Sequence, residues 1–258
     1  MSRRSAIEWT EMTWNPVSGC TKVSPGCANC YAERMAKRLK AMGAVRYRDG
    51  FSLRTHEAAL EEPLRWKSPR KVFVNSMSDL FHKDVPTEFI LRVFDVMARC
   101  PQHQFQILTK RAARLRDLAP MLQWTPNIWM GVSVEDQRRA RRSVDLRHVP
   151  AHIRFLSVEP LLGPIRQLPL EGIHWVIVGG ESGPGARLMQ PQWVEELLAQ
   201  CRAHGVAFFF KQWGGVQKHR TGRVLGGRTY SEMPQPLGLR ARSMAPGEAR
   251  GQRLAGTG

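Results

Sequence analysis

Short apolar runs alternate with helical patterns along most of the chain, and this alternation constrains the fold more than any other feature. Six runs of six or seven residues, rich in β-branched and aromatic side chains, are bounded by turn residues. They lie at residues 71–76, 104–109, 127–133, 153–158, 173–179 and 206–211. Helical periodicity fills most of the gaps, at residues 31–42, 86–100, 111–121, 136–147 and 191–204. The repeat predicts a parallel sheet with right-handed crossovers.

An opening strand at residues 7–16 brings the number of strand units to seven. The sequence therefore predicts an α/β fold, a partial or near-complete parallel (β/α) barrel of about six to eight units. We expect residues 1–234 to form a single barrel-like domain. Residues 235–258 are dominated by Gly, Pro, Ala and Arg without apolar periodicity, which predicts a basic, disordered tail. Such a tail is usually only solvated, with non-specific phosphate contact as the alternative.

Three cysteines follow the first predicted strand closely. Cys20, Cys27 and Cys30 have the spacing C-x6-C-x2-C in a loop rich in Gly, Pro and Ser. Three thiolates suit a [4Fe-4S] cluster in which the fourth iron keeps an open position. Zinc normally needs a fourth protein ligand, and the next histidine downstream is His56, so a structural zinc site with a distant ligand stays the alternative. An odd count of five cysteines and the lack of a signal-peptide pattern disfavour a disulfide framework.

The charge balance is strongly basic. Lys and Arg number 39 against 22 Asp and Glu, a formal net charge of +17, which favours nucleic acid or a nucleotide as partner. The alternative is the general composition of a basic proteome, since Arg far outnumbers Lys. No apolar run approaches the length of about 18 residues that a membrane span needs, so we expect no membrane association. Reduced thiols and the absence of a targeting pattern predict a cytoplasmic protein.

Polar residues follow the predicted strands, at the carboxyl edge of the sheet, where parallel α/β folds place their catalytic and binding residues. The candidate binding residues at this edge are Asn75, Ser76, Ser78, Glu135, Glu159, Gly179, Gly180, Glu181 and Ser182. The three glutamates each stand just past a strand, where a carboxylate can bind an ammonium group or a ribose hydroxyl. The glycine-rich turn after residue 178 allows close backbone approach to a ligand, although a plain turn after a buried strand is equally consistent.

The cysteine loop, the partial barrel and the aromatic Tyr31 directly after the third cysteine together resemble the radical S-adenosylmethionine superfamily, although C-x3-C-x2-C is the more common spacing there. Over almost its full length the chain is similar to the phage-associated three-Cys-motif family. The matching runs are residues 8–16, 19–27, 74–81, 106–111, 131–135, 155–162, 178–183 and 210–215.

The superfamily resemblance implies a mechanism. Cys20, Cys27 and Cys30 would hold three irons, and the fourth would chelate the amino and carboxylate groups of S-adenosylmethionine. One electron, supplied by an electron donor, would then generate a 5′-deoxyadenosyl radical that abstracts hydrogen from the substrate.

The resemblance also implies where the binding residues would act. Asn75, Ser76 and Ser78 would meet the amino acid part of S-adenosylmethionine. Glu135, Glu159 and the turn containing Gly179, Gly180, Glu181 and Ser182 would meet its ribose or adenine.

Two other classes of function stay open at this level. The chain is alternatively a non-catalytic nucleic-acid-binding protein with a structural zinc or cluster site, or a radical enzyme acting on a small molecule with its charge incidental. The polar strand ends favour an enzyme, because a scaffold has no need of convergent lysines and glutamates.

Overall fold

A computed structural model describes residues 9–234 and contains nine strands and seven α-helices in that range. The strands are β1 (Met12–Trp14), β2 (Val17–Ser18), β3 (Arg54–Thr55), β4 (Lys71–Val74), β5 (Gln104–Thr109), β6 (Ile128–Ser133), β7 (Ile153–Val158), β8 (Trp175–Gly179) and β9 (Ala207–Gln212). The helices are α1 (Tyr31–Ala41), α2 (Glu57–Leu60), α3 (Thr87–Ala98), α4 (Ala112–Leu118), α5 (Arg142–Arg147), α6 (Pro191–Ala203) and α7 (Lys218–Thr221). The predicted tail at 235–258 lies outside the described residues, and a single domain over 1–234 stays a prediction.

Seven strands form one parallel sheet whose spatial order follows the chain. The order is β1-β4-β5-β6-β7-β8-β9, so each crossover adds its strand beside the preceding one. β1 and β9 are the two edges, which leaves the sheet open. The prediction of a partial (β/α) barrel of six to eight units is confirmed. The first strand is shorter than predicted and ends two residues before Pro16, which has no amide hydrogen to donate to a ladder.

The inner face of the sheet is aromatic, and its contacts show that the sheet curls. In a flat sheet β4 and β8 would lie about 19 Å apart, four strand spacings. The Trp9 ring centroid nevertheless lies 5.0 Å from that of Phe73 on β4 and 6.0 Å from that of Trp175 on β8. Trp9 also contacts Phe155 on β7, at 6.3 Å. One indole thus fills the interior of the curled sheet and bridges strands that are not neighbours.

The outer face is covered by the helices. The strand residues whose side chains point to this outer face, such as Val72 and Ile107, are fully buried in a second, larger core. α3 contributes Phe89, Val93 and Phe94 to it, because the spacing of these residues places them on one side of the helix.

A small antiparallel sheet was not predicted. β2 pairs with β3, with Val17 opposite Thr55. Strands of two residues carry too little periodicity to be read from sequence. The pairing matters because β2 leads directly into Gly19 and Cys20. Gly19 has φ +80°, and a Cβ there would lie 2.1 Å from the Ser52 carbonyl oxygen, so the entry to the cysteine loop requires glycine.

Within residues 9–234, no helix combines the length and the apolar character needed to cross a membrane.

We predict that Gly131→Ala destabilises the protein. A Cβ at Gly131 on β6 would lie 2.4 Å from the Phe155 ring, which is buried in the inner core. Overpacking of this kind costs about 1–3 kcal/mol in the free energy of unfolding, measurable by urea denaturation. Gly163→Ala is the matched control, because nothing lies within 4 Å of its added Cβ. Equal unfolding free energies for the two variants would contradict the packed interior described above.

Candidate functional site

The cysteine loop runs from the end of β2 to the start of α1, at the carboxyl edge of the parallel sheet. Its thiols, those of Cys20, Cys27 and Cys30, are free and partly exposed, whereas Cys100 and Cys201 are buried. The loop backbone is tied down at its start, where the Gly19 amide donates to the Met77 carbonyl at 3.0 Å. The three thiols that the sequence singled out therefore share one loop on the functional edge of the fold.

The residues that lead into this loop are held by the residues after β4. The Asn75 carboxamide oxygen accepts from the Val17 amide at 3.1 Å, and the Ser78 hydroxyl donates to the Val17 carbonyl at 3.0 Å. The Ser76 hydroxyl donates to Asn15 Oδ1 at 3.1 Å. Asn75 also has φ 61°, and its Nδ2 is buried without a partner. Of this predicted group, Asn75 alone retains a buried, uncommitted donor.

Arg111 contacts Cys20 directly. Its Nη1 lies 3.5 Å from the Cys20 Sγ and 2.8 Å from Asp79 Oδ2, and its Nη2 donates to the Thr21 carbonyl at 3.1 Å. Burial raises the pKa of the Cys20 thiol and Asp79 adds to the effect, while Arg111 opposes it. Arg111 thus supplies positive charge where a thiolate would form. The sequence places Asp79 and Arg111 just beyond strands, but gives no sign that they meet at Cys20.

His82 supports the next residue of the loop. It is fully buried, and burial lowers its pKa. Its Nδ1 accepts from the Asp84 amide at 3.2 Å, so Nε2 carries the hydrogen and donates to the Thr21 hydroxyl at 2.8 Å. A neutral histidine therefore orients Thr21 beside Cys20.

Glu135 holds the middle of the loop. Its carboxylate is completely buried, and Ser24 donates to Oε1 at 2.6 Å while Arg142 donates to Oε2 at 3.0 Å. Gly26 packs against the same side chain, since a Cβ there would lie 2.5 Å from the Glu135 Cγ. Both carboxylate oxygens are thus engaged between the loop and Arg142.

Glu181 holds the end of the loop. Its Oε2 accepts from Asn29 Nδ2 at 3.0 Å and from Arg187 Nε at 2.8 Å, and its Oε1 accepts from Arg187 Nη2 at 2.6 Å. Burial works against ionisation, but the hydrogen bonds from Arg187 and Asn29 outweigh it and lower the pKa of Glu181 to about 2. The carboxylate thereby joins the residue before Cys30 to the turn after β8.

The glycine-rich turn packs tightly against its neighbours. A Cβ at Gly180 would lie 1.9 Å from the Trp213 carbonyl oxygen after β9. The Ser182 hydroxyl accepts from Gln212 at 2.5 Å, and the Ser182 carbonyl accepts from Arg34 of α1 at 2.8 Å. The turn therefore connects β9 to the helix that follows the third cysteine.

Glu159 differs from the other two glutamates. Its Oε2 accepts from Lys211 Nζ at 2.7 Å, but its Oε1 is buried and has no partner. A Cβ at Gly179 would lie 3.2 Å from this carboxyl group, so glycine there leaves space beside it. An unpartnered buried oxygen is costly unless something binds it. Glu159 is therefore the strand-end carboxylate with an acceptor available to a ligand.

The donor set of the loop fits an iron–sulfur cluster. A cubane cluster takes one thiolate on each of three irons, so the three sulfur atoms need not meet at one centre. A structural zinc ion needs four ligands within about 2.3 Å of one point. Among residues 9–234, no three His, Cys, Asp or Glu side chains are grouped to hold a single metal ion. Three free thiols on one loop, with Arg111 beside that of Cys20, are therefore a donor set that an iron–sulfur cluster can use.

We predict that Glu181→Gln weakens the acid dependence of stability. A pKa lowered from 4.5 to about 2 stabilises the fold above about pH 4.5, and this contribution is lost as the pH falls toward about 2. The variant should thus lose roughly 1–3 kcal/mol at neutral pH, with a smaller deficit at low pH. Urea denaturation at several pH values measures this, with Glu195→Gln, on exposed α6 surface, as the control. A Glu181→Gln deficit that does not change with pH would contradict the assignment.

Comparison with known proteins places the chain in a family. No curated protein matches it. It is similar to two solved structures of spore photoproduct lyase, one complexed with dinucleoside spore photoproduct (TM-score 0.49, 13% identity) and a double variant with bound AdoMet and the same dinucleoside (TM-score 0.45, 11% identity). Each match covers 69% of this chain and 58% of the other. The model of the family described as "Protein of unknown function (DUF5131)" matches residues 4–234, and the chain therefore belongs to that family.

Proposed function

We propose that this protein is an iron–sulfur enzyme of the radical S-adenosylmethionine type that acts on a nucleic acid or nucleotide. The observation that carries the proposal is the way in which hydrogen bonds hold the cysteine loop in place. Three free thiols lie at the carboxyl edge of an open parallel barrel, and buried Glu135 and Glu181 hold the loop from two different strand ends. A loop held this firmly suits a centre whose position relative to a substrate matters.

Cys20, Cys27 and Cys30 would each hold one iron of a [4Fe-4S] cluster, with the fourth iron left for S-adenosylmethionine. When bound, these groups supply the one-electron chemistry for hydrogen abstraction from the substrate, and an external electron donor is required. The chain's own contribution is binding, orientation and charge. Arg111 offsets the negative charge of the Cys20 thiolate from 3.5 Å, and such hydrogen bonds to sulfur tune cluster potentials.

The barrel mouth would receive S-adenosylmethionine. We assign the leading role to Glu159, whose free Oε1 would accept from a ribose hydroxyl or the ammonium group while Lys211 holds the other oxygen. Asn75 Nδ2 is the donor available to a carboxylate. Gly179 would leave space for the ligand beside Glu159, whereas a ligand contact at Gly180 would require its packing against the Trp213 carbonyl to open. Direct contacts from Ser76, Ser78, Glu135, Glu181 and Ser182 would require these residues to share or exchange the partners described above.

The net charge of +17 supports nucleic acid as the substrate class. The phage association of the three-Cys-motif resemblance and the cytoplasmic location stay predictions.

We predict that Cys20→Ala, Cys27→Ala and Cys30→Ala each abolish incorporation of a full cluster, because each removes a ligand. Cys100→Ala and Cys201→Ala are the controls, since these buried thiols lie in the hydrophobic core. Iron and zinc content and cluster absorbance of anaerobically purified proteins measure the effect. Tightly bound zinc without iron in the wild-type protein would support the structural-metal alternative instead.

We predict that Glu159→Gln weakens S-adenosylmethionine binding roughly ten- to hundredfold, because a hydrogen bond to a charged acceptor contributes about 1.5–3 kcal/mol. Equilibrium binding to the cluster-loaded protein measures this, and Glu195→Gln is again the control. The melting temperature reports separately whether the loss of the Lys211 ion pair perturbs the fold. Unchanged affinity together with unchanged formation of 5′-deoxyadenosine would place the ligand elsewhere.

A further inference from the structure

A strongly basic pocket of about 410 Å³ opens beside the cysteine loop, between the starts of α4 and α5. It is lined by Val23 of the loop, by residues after β5 and by the arginine-rich segment after β6. Seven cationic side chains line it against one carboxylate, that of Asp145, which itself accepts from Arg116 at 2.6 Å. This pocket is separate from the barrel interior that holds the aromatic core.

Four of the seven cationic side chains are paired with carboxylates. Arg111 pairs with Asp79 at 2.8 Å and Arg139 with Asp136 at 3.1 Å. Arg142 and Lys110 share Glu135, at 3.0 and 3.8 Å. The carboxylates offset most of the positive charge of these four side chains. Glu135, which also holds the cysteine loop, connects the loop to the pocket wall.

The other three have no carboxylate partner among residues 9–234. Arg114 donates only to backbone carbonyls, those of His82 and Val85. The side chains of Arg138 and Arg141 are exposed and make no hydrogen bond or ion pair within the described part of the chain. Three uncompensated guanidinium groups around one concave space favour a ligand that carries several negative charges.

The lining also narrows the chemistry of this ligand. Its apolar members are Val23, Ala112 and Ala113, and it contains no aromatic ring on which a base could stack. Guanidinium groups present two parallel N–H donors that match phosphate oxygens. The pocket therefore suits phosphates rather than the bases attached to them.

We propose that this pocket binds phosphates of the backbone of a nucleic-acid strand and positions the strand beside the cysteine loop. Arg111 lines the pocket and contacts Cys20, so a bound strand would pass next to the Cys20 thiol. Binding follows from the pocket alone, while the role of the strand as substrate rests on the proposed function.

The test is the double variant Arg138→Gln/Arg141→Gln of the full chain. Neither side chain anchors the loop, so the fold should be retained, which circular dichroism and the melting temperature verify. Labelled single-stranded DNA and RNA are titrated at about 0.05–0.2 M salt. If each arginine neutralises one phosphate, the slope of log affinity against log salt should fall by about 1.4, and affinity at about 0.1 M salt should fall on the order of 20-fold. The loss should be similar for different base sequences.

Arg65→Gln/Lys67→Gln is the matched control, because it removes the same charge from exposed positions just before β4, at the opposite edge of the sheet. Equal slopes and affinities for the two double variants would overturn the proposal. Saturable binding of inorganic pyrophosphate without oligonucleotide binding would overturn it too, since it would indicate a small-anion site. Iron content is measured on the same samples. Loss of strand binding in the pocket variant of a protein without iron would leave this site standing while the proposed enzymatic function fails.

Discussion

Two buried carboxylates support the cysteine loop, and the site depends on their being fully paired. Glu135 reaches the loop from the end of β6 and Glu181 from the end of β8. A buried charge is costly unless hydrogen bonds and opposite charges compensate it, and removing one partner leaves that cost uncompensated. Arg142 and Arg187 complete the two clusters from outside the loop. The loop conformation is thereby tied to the ends of strands that are themselves held in the sheet.

This pairing divides the strand-end residues into two groups. Glu135 and Glu181 each have one oxygen bonded to a loop residue and the other to an arginine outside the loop, whereas Glu159 keeps one buried oxygen without a partner. Arg111 connects the cysteine loop to the basic pocket, because it contacts Cys20, pairs with Asp79 and lines the pocket. The thiols, the open acceptor and the unpaired arginines thus lie on one edge of the barrel, which is the arrangement a radical enzyme acting on a polyanion would need.

The barrel could be predicted from the sequence because its signal is local. Each strand of the large sheet is a short apolar run, and α3 and α6 show their buried faces in the spacing of Phe89 and Val93 or Val194 and Leu197. The contacts of the site could not be predicted. Glu135 and Ser24 are 111 residues apart in the chain, and Glu181 and Asn29 are 152 apart. All three glutamates directly follow a strand, so the sequence does not tell them apart. Only the packed structure distinguishes Glu135 and Glu181, which hold the loop, from Glu159. The β2–β3 pair was missed because two-residue strands leave no periodic pattern.

The central claim is that the loop of Cys20, Cys27 and Cys30 holds a cluster with one iron open to S-adenosylmethionine. The most direct measurement is electron paramagnetic resonance of the anaerobically purified, reduced protein, recorded with and without S-adenosylmethionine. The account predicts the signal of a reduced [4Fe-4S] cluster whose g values change when S-adenosylmethionine is added, because the ligand binds the open iron. A cluster signal that S-adenosylmethionine leaves unchanged, or a protein that carries zinc and gives no cluster signal, would contradict it.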